Sequence, residues 1–307
     1  MKRRFYRKGL IVLISPFFLS LMSLAQPKEV KLVILGVMQD GGLPQLGCTK
    51  SCCVTSTNRK TVTSLALVEP SLRRFSLLDA TPDIVAQCQL VDSLFTGVIL
   101  HSIYLTHAHM GHYTGLLQLG REAMNAKNLP LYVMPRMANF ITANGPWSQL
   151  VQLNNISLTT IQNDVSIENE NFSITPLLVP HRDEFSETVG FIISGPHKTV
   201  LFIPDIDKWK IWEKDIIAEV KAVDYAFIDG TFFEDGEINR PIKEVPHPFI
   251  TETVSLFKNE QLSVKQKIYF IHLNHTNPAH NRTSPQRISV EKQGFHFATL
   301  GTQFILN

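Results

Sequence analysis

Three histidines within six residues are the strongest chemical signal in the sequence. His107, His109 and His112 follow the apolar run Ile99–Leu105, which has the pattern of a β-strand. A loop at the end of a strand can direct several imidazoles to one centre, and neutral imidazole is a common ligand of transition metals. The cluster therefore predicts a metal-binding site at the end of this strand.

Three further strand ends carry side chains that can bind a metal. His181 follows an apolar run, Asp205 follows Val200–Pro204, and His272 follows Tyr269–Ile271. One such residue is a weak signal, because polar side chains at strand ends also serve in turns. The repetition of this pattern, together with the histidine cluster, favours one shared metal site.

The cysteines allow two interpretations. Cys48, Cys52 and Cys53 lie within six residues, which is typical of a metal knuckle, and the adjacent Cys52 and Cys53 cannot readily bond to each other. Disulfides or free thiols are the alternative, since an exported chain meets an oxidising compartment. Cys88 falls in the predicted helix Pro82–Leu90, where we expect it to pack as a small hydrophobic side chain.

The first 25 residues have the pattern of a secretory signal peptide. Five basic residues at positions 2–8 precede the apolar run Leu10–Leu24, and Ser23 and Ala25 form a small-x-small cleavage site. An uncleaved N-terminal anchor is the alternative. Cleavage near Ala25 would remove five of the 29 basic side chains and none of the 27 acidic ones. The mature chain would be secreted or periplasmic and mildly acidic, with no membrane span and no basic surface for nucleic acid.

Composition and element pattern predict an α/β (or α+β) protein. The 307 residues are 44% hydrophobic and 18% charged, an ordinary globular balance. Two strand-rich halves, each interrupted by helices, predict two sheets packed face to face with helices outside, a four-layer arrangement. No linker or repeat divides residues 28–307, which favours a single domain. Helices are expected at Pro82–Leu90, Leu116–Ala126, Ile206–Lys221 and Phe249–Phe257. The predicted strands are Val30–Val37, Thr63–Val68, Phe75–Leu78, Ile99–Leu105, Leu131–Met134, Phe172–Leu178, Val189–Ile193, Thr199–Ile203, Tyr225–Ile228, Ile268–Ile271 and Phe304–Leu306.

The order of these candidate ligands resembles that of the metallo-β-lactamase superfamily. The family pattern is HxHxDH followed by a lone histidine, a lone aspartate and a final histidine. It is matched in order by His107, His109, His112, His181, Asp205 and His272. Within the superfamily the chain resembles coenzyme PQQ synthesis protein B in the segments Met38–Pro44, Asp79–Ile84, Gly115–Leu117, Thr188–Gly190, Asp229–Thr231 and His272–Pro278. The resemblance implies an αββα sandwich.

The resemblance also implies a division of the ligands between two cations. His107, His109 and His181 would bind one metal, His112 and His272 would bind the second, and Asp205 would bridge them. Two such cations hold a water as hydroxide and polarise a carbonyl or phosphoryl oxygen. Asp79 and Thr106 are candidates to orient the imidazoles.

Two departures from the family limit this inference. Gly111 stands where HxHxDH has its aspartate, which predicts a weakened second site and leaves a mononuclear enzyme open. The PQQ synthesis protein lacks the first two histidines of the pattern and keeps its Asp-His pair, whereas this sequence has all the histidines. The activity of the PQQ protein therefore does not transfer directly.

Two more histidines acquire roles through the resemblance. Related proteins hold a structural zinc with three early cysteines and a late histidine, which implies Cys48, Cys52, Cys53 and His275 here, with His280 as the competing fourth ligand. His247 stands where relatives have a histidine near the leaving group, which implies a general acid; a proline-bracketed surface turn is the alternative.

These observations favour an exported metal-dependent hydrolase acting on an ester, lactone, amide or phosphodiester, with Asp205 and His247 as catalytic residues. We expect zinc, with iron or manganese as alternatives at the histidine site, and a small-molecule or peptide substrate. The first alternative is an iron-dependent oxidative enzyme related to pyrroloquinoline quinone biosynthesis, and the second is a non-catalytic, metal-containing binding protein. The sequence gives no indication of the oligomeric state.

Overall fold

The computed structural model describes residue 1 and residues 29–57, 59–238, 244 and 246–307. The predicted signal peptide, residues 1–25, lies outside the described residues except for Met1. Among the helices of these described ranges, none is both long enough and apolar enough to cross a membrane.

The described ranges contain two seven-stranded sheets. The first has the order β14-β1-β2-β3-β4-β5-β6 and the second β13-β12-β11-β10-β9-β8-β7. The strands of the first sheet are β1 (Lys31–Gly36), β2 (Ser64–Glu69), β3 (Arg74–Leu78), β4 (Ile99–Tyr104), β5 (Leu129–Val133), β6 (Ile156–Thr160) and β14 (Gln303–Ile305). Those of the second are β7 (Ile167–Glu168), β8 (Ser173–Leu178), β9 (Val189–Ser194), β10 (Thr199–Ile203), β11 (Tyr225–Asp229), β12 (Ile268–Ile271) and β13 (His296–Phe297).

Helices connect and cover the strands. The α-helices are α1 (Ser51–Val54), α2 (Ile84–Leu94), α3 (Met110–Tyr113), α4 (Pro135–Ala143), α5 (Trp147–Gln152), α6 (Ile216–Ala222), α7 (Ile250–Leu256), α8 (Leu262–Lys265) and α9 (Pro285–Glu291). Short 3₁₀ helices occur at Pro70–Leu72, Thr114–Leu119, Trp209–Ile211 and Pro278–His280.

The inner faces of the two sheets share one buried core. Leu32 and Ile34 of β1 lie in the same cluster as Phe191 of β9, Phe202 of β10 and Phe227 of β11. Alternate residues of a strand point to opposite faces, so Leu32 and Ile34 share one face of β1. Each such buried side chain contributes about 1.5–3 kcal/mol relative to an exposed position.

The outer faces pack against helices. Ile84 of α2 and Met137 of α4 lie in the cluster formed by the outer face of the first sheet. Val220 of α6 and Ile250 of α7 lie in the corresponding cluster of the second sheet. The order helix, sheet, sheet, helix confirms the predicted four-layer fold.

Parallel pairing brings the ends of several strands to one edge. The strands β3 to β6 are mutually parallel, and so are β10, β11 and β12. The strand β8 also runs parallel to β10, because both pair antiparallel with β9. The carboxyl ends of these strands therefore meet, and the loops that follow them carry the candidate ligands.

Two predicted helices are wrong in extent. The segment Leu116–Ala126 is instead a 3₁₀ helix at Thr114–Leu119 followed by turns. The residue before this segment, Gly115, contacts the loop that precedes α2, since its N–H donates to the carbonyl of Ala80 over 2.9 Å. The single predicted helix Ile206–Lys221 is interrupted, because the Asp215 carboxylate accepts from the Ile217 N–H at 3.0 Å and caps a new helix, α6.

Candidate metal centre

Four predicted ligands form one compact group. Atoms of His107, His109, His181 and Asp205 that can bind a metal lie within 4.8 Å of one another. The Asp205 carboxylate lies 3.3 Å from His107 Nε2 and 3.2 Å from His181 Nε2, and His109 Nδ1 lies 3.3 Å from His181 Nε2. The structure thus brings together the set implied for the first cation.

A second group adjoins the first. His112, His272 and Asp40 also have ligand atoms within 4.8 Å of one another. Asp205 Oδ2 lies 3.9 Å from His112 Nε2 and 4.0 Å from His272 Nε2, as well as beside His107. One carboxylate oxygen therefore faces both groups, as the bridging role of Asp205 requires.

The ligands come from both sheets. His107, His109 and His112 lie in or beyond the loop that follows β4 of the first sheet. His181 and His272 follow β8 and β12 of the second sheet, and Asp205 follows β10 in the same way. The site therefore spans the seam between the two sheets.

Two residues at the site have left-handed backbones. Asp79, directly after β3, has φ 68°, and His272 has φ 65°. Residues other than glycine adopt this region at a cost of about 1–3 kcal/mol each, and such strain is concentrated at functional sites. Surrounding contacts hold Asp79, whose N–H donates to the Tyr104 carbonyl over 2.9 Å.

The Nδ1 atom of each of four imidazoles has a hydrogen-bond partner. His107 Nδ1 lies 2.9 Å from the Thr106 hydroxyl, and His112 Nδ1 lies 2.7 Å from Asp79 Oδ2. Asp79 also accepts from the Thr106 N–H, so the two residues that contact the imidazoles are hydrogen-bonded to each other.

The second sheet supplies the other two partners. His181 Nδ1 lies 3.0 Å from Asp207 Oδ1, and His272 Nδ1 lies 2.9 Å from the Thr231 hydroxyl. Such contacts fix the ring orientation and direct the opposite nitrogen, Nε2, toward a metal. Asp79 and Thr106 thus lie where the sequence placed them.

Electrostatics at the site depend on Asp205. Burial alone would raise the pKa of its carboxyl, but the surrounding histidines, His181 foremost, hold this pKa well below its usual range. Burial opposes the charged form of His181 and His112. The carboxylates of Asp205 and Asp207 outweigh it at His181 and raise that pKa to about 10, while Asp79 raises the pKa of His112 to about 9.

Burial dominates at two other imidazoles, lowering the pKa of His107 well below its ordinary value and also lowering the pKa of His272. The site without a cation therefore carries protons on some imidazoles and not on others. Because ligands must be deprotonated, a cation that binds here displaces those protons.

The unsatisfied atoms of the site fit a cation. Nε2 of His107, His112 and His272 is buried without a hydrogen-bond partner among the described residues. Buried polar atoms are almost always satisfied, so this convergent set of nitrogens fits a bound cation. Imidazole nitrogens with one carboxylate suit zinc, iron or manganese. The arrangement is that of a metal-binding site.

His247 lies at the site and not in a surface turn. It is buried, and its Nδ1 lies 2.9 Å from Asp229 Oδ2 and 3.1 Å from Asp205 Oδ1. Asp229 is itself fixed, since it accepts from the backbone N–H groups of Ile206 and Thr231. The ring is therefore held by a preorganised carboxylate beside Asp205.

Three carboxylates of the site were not assigned a role from the sequence. Asp207 and Asp229 lie at or just beyond the ends of β10 and β11, so the strand-end pattern that found Asp205 could have found them as well. Asp40 follows β1 by four residues, and no signal in the sequence joins it to the histidine motif.

The three early cysteines also gather. Sγ atoms of Cys48, Cys52 and Cys53 lie within 4.8 Å of one another at α1, and all three cysteines are free thiols. Burial raises the pKa of Cys53 to about 11, whereas the hydrogen bond from Cys53 lowers the pKa of Cys48. Within the described ranges His275 is not part of this group; its Nδ1 lies 2.9 Å from Asn274 Oδ1. The fourth ligand stays a prediction.

We expect a Cys52→Ser variant to lose stability and to retain the histidine-bound metal. A structural zinc contributes directly to folding, and a loss of about 2 kcal/mol lowers the melting temperature by about 3 °C in a chain of this size. Calorimetry together with elemental analysis measures both effects. Cys88→Ala, in α2 and outside the knuckle, is the control. A large loss of turnover at an unchanged melting temperature would contradict a structural role.

Comparisons with known proteins agree with this geometry. The family described as the beta-lactamase superfamily domain matches residues 74–288. Coenzyme PQQ synthesis protein B of Methylorubrum populi is 28% identical over 298 residues, which cover 87% of this chain and 96% of that protein. The crystal structure of Zn²⁺-bound PqqB from Methylobacterium extorquens superposes with a TM-score of 0.73 at 25% identity, covering 89% of this chain and 99% of that one.

A diphosphatase of the PhnP family shares the fold, with a TM-score of 0.61 and 20% identity over 90% of this chain and 97% of its own. The predicted resemblance to the PQQ synthesis protein is confirmed. Because the family match spans more than half of the sequence, the chain belongs to the metallo-β-lactamase superfamily.

Proposed function

We propose that this chain is an exported metal-dependent hydrolase that cleaves an ester, lactone, amide or phosphodiester bond in a small molecule or peptide. The observation that supports the proposal is the set of buried imidazole nitrogens of His107, His112 and His272 around Asp205, which have no hydrogen-bond partner among the residues that the structure describes. A metal ion held by this set would lower the pKa of a bound water and polarise the scissile carbonyl or phosphoryl group.

The protein's own groups have distinct tasks in this reaction. Asp205 supplies the negative charge that offsets the cations, and Thr106, Asp79 and Asp207 keep the imidazoles in a ligating orientation. His247, with Nδ1 held by Asp229, has Nε2 left to protonate a leaving group.

Access to the site is one-sided. The side chains of His109 and Asp40 retain 13% and 24% of their exposure, whereas those of His112 and His272 have none. Substrate therefore reaches the cations past His109, next to the exposed Glu184, whose Oε2 lies 3.4 Å from His109 Nε2. Nearby Phe185 is exposed and packs against Phe140, which offers an apolar wall at this entrance.

Zinc is the metal we propose for the histidine site, and a further zinc for the cysteine knuckle. The mature protein, purified without added metal, should contain two or more zinc ions per chain by elemental mass spectrometry. One zinc with one iron would instead support the oxidative alternative. Metal well below one per chain would rule out both and leave a non-catalytic binding protein.

Hydrolysis is tested with a panel of esters, lactones, amides and phosphodiesters. We expect turnover of at least one class that a chelator abolishes and added Zn²⁺ restores. The matched control is Asp164→Asn, an exposed carboxylate paired with Lys214 away from the site, which should behave like the wild type. No chelator-sensitive turnover across the panel would refute the proposal.

A role related to pyrroloquinoline quinone synthesis is the second candidate. Similarity to coenzyme PQQ synthesis protein B over 87% of the chain favours it. It requires bound redox-active iron and consumption of oxygen with a tyrosine-containing peptide or its derivative. An oxygen electrode with the iron-loaded protein separates this candidate from hydrolysis.

Export is proposed on the basic and apolar N-terminal segment, with cleavage near Ala25. Mass spectrometry of the protein recovered from its native host would show a mature N-terminus after this residue. An intact Met1 on the recovered protein would argue for an anchor or for retention in the cell.

A further inference from the structure

The group formed by His112 and His272 has an unexpected third member. Nε2 of both histidines is fully buried and has no hydrogen-bond partner in the part of the chain that the structure describes, and the two ring centroids lie 5.2 Å apart. Asp40 Oδ1 lies 3.6 Å from His112 Nε2, and all three side chains present ligand atoms within 4.8 Å. Two neutral imidazoles and a shared Asp205 leave a divalent cation short of negative charge, and Asp40 supplies it.

Gly111 is the reason that Asp40 can occupy this place. A Cβ atom built on Gly111 would lie 2.3 Å from Asp40 Oδ1 and 2.6 Å from Asp40 Cα. Any side chain at position 111 would therefore collide with Asp40. The carboxylate of Asp40 thus fills the volume into which an aspartate at position 111 would have to extend, and the Gly111 N–H donates to it over 3.2 Å.

The backbone ties Asp40 to the ligand loop of the second sheet. Met38 forms β-bridges with both Val62 and Leu273, the residue after His272. The Gln39 N–H donates to the Leu273 carbonyl over 2.9 Å, and the Leu273 N–H donates to the Val37 carbonyl over 2.8 Å. The segment that carries Asp40 is therefore fixed directly against the loop that carries His272.

We propose that Asp40 is the terminal carboxylate ligand of the second cation and replaces the missing aspartate of the HxHxDH pattern. The second site is then complete, with His112, His272, Asp40 and the bridging Asp205. This differs from the sequence-based expectation of a second site without its own carboxylate. The inference rests on the two-cation site of the proposed function but not on hydrolysis.

Metal affinity tests the proposal without any substrate. The metal-free protein is titrated with Zn²⁺ by calorimetry, and the bound metal is counted after dialysis. In Asp40→Asn, which keeps the shape of the side chain and removes its charge, we expect the weaker-bound histidine-site ion to be lost on dialysis. Its dissociation constant should rise about 10- to 100-fold or more. Asp164→Asn, a carboxylate outside the site, should match the wild type.

A carboxylate exchange gives the second arm. Gly111→Asp alone should lose the second ion, since the two carboxylates compete for one volume. The double variant Asp40→Gly/Gly111→Asp should not recover it, because the Cα of residue 40, 2.6 Å from a Cβ at position 111, stays in place. Wild-type stoichiometry and affinity in Asp40→Asn would overturn the proposal even if the exchange variants fail to fold.

The two proposals fail differently. If the His107→Ala variant contained as much zinc as the wild type, the histidine metal site itself would be refuted, and the role of Asp40 with it. If the wild type bound two ions at the histidine site and the Asp40→Asn variant kept both, only the role of Asp40 would be refuted.

Discussion

An Asp205→Ala variant should lose most of its histidine-bound metal and about 10³-fold or more in chelator-sensitive turnover. Its carboxylate faces six histidines at 3.1–4.0 Å, among them members of both cation groups. Metal ions supply several kcal/mol of transition-state stabilisation, and each 1.36 kcal/mol is a tenfold change in rate. Elemental analysis and turnover on the same preparation measure both losses.

The metal-free form of this variant gives an independent readout. Removal of Asp205 takes away the carboxylate that these imidazoles share, so His181 should lose part of the interaction that raises its pKa. The raised pKa means that protonated His181 stabilises the metal-free fold at low pH and that this contribution disappears as pH rises through about 10. We therefore expect the destabilisation by Asp205→Ala to be largest at acidic and neutral pH. Full metal content in the variant would contradict the bridging assignment.

A His247→Gln variant should retain its metals and lose about 10²- to 10⁴-fold in kcat on substrates with poor leaving groups. His247 is not needed to complete either histidine group, and its Nδ1 is fixed by Asp229. Substrates whose leaving group departs without a proton, such as nitrophenolate, should be much less affected. This contrast separates a proton donor from a residue that only supports the site.

The pH profile of the same variant adds a second criterion. Burial opposes the charged form of His247, but the carboxylates of Asp229 and Asp205 outweigh it and raise the pKa above its ordinary value. A group that must be protonated loses activity as pH rises through its pKa, so the wild type should show an alkaline limb that His247→Gln lacks. His296→Gln, a half-buried histidine on β13, is the control. Equal losses for good and poor leaving groups would refute the general-acid role.

Much of the fold could be predicted because its strands are short apolar runs. All eleven predicted strands overlap an observed one within the described residues. The strands missed were β6, half exposed at a sheet edge, and the two-residue strands β7 and β13, whose existence depends on pairing and not on local pattern. The helices α1, α3, α4, α5, α8 and α9 were missed as well, since tertiary packing stabilises such short segments more than propensity does.

The site could be predicted only in part, and for a related reason. His107, His181, Asp205 and His272 each follow an apolar strand, which is a local signal that periodicity reveals. Asp40 lies 71 residues before Gly111, and only the pairing of Met38 with Leu273 brings it to the histidines. His247, between two prolines, gave no sign of burial. Contacts across sheets are not encoded in any one segment.

Because the ligands come from both sheets, the supply of metal should affect the stability of the fold as well as its activity. A cation that bridges the seam binds the folded chain and not the separated halves, so free metal at 1,000 times the dissociation constant adds about 4 kcal/mol to the unfolding free energy. Starvation for metal would then open the seam more often and expose the chain to proteases. The abundance of the protein, and not only its activity, would follow the local supply of metal.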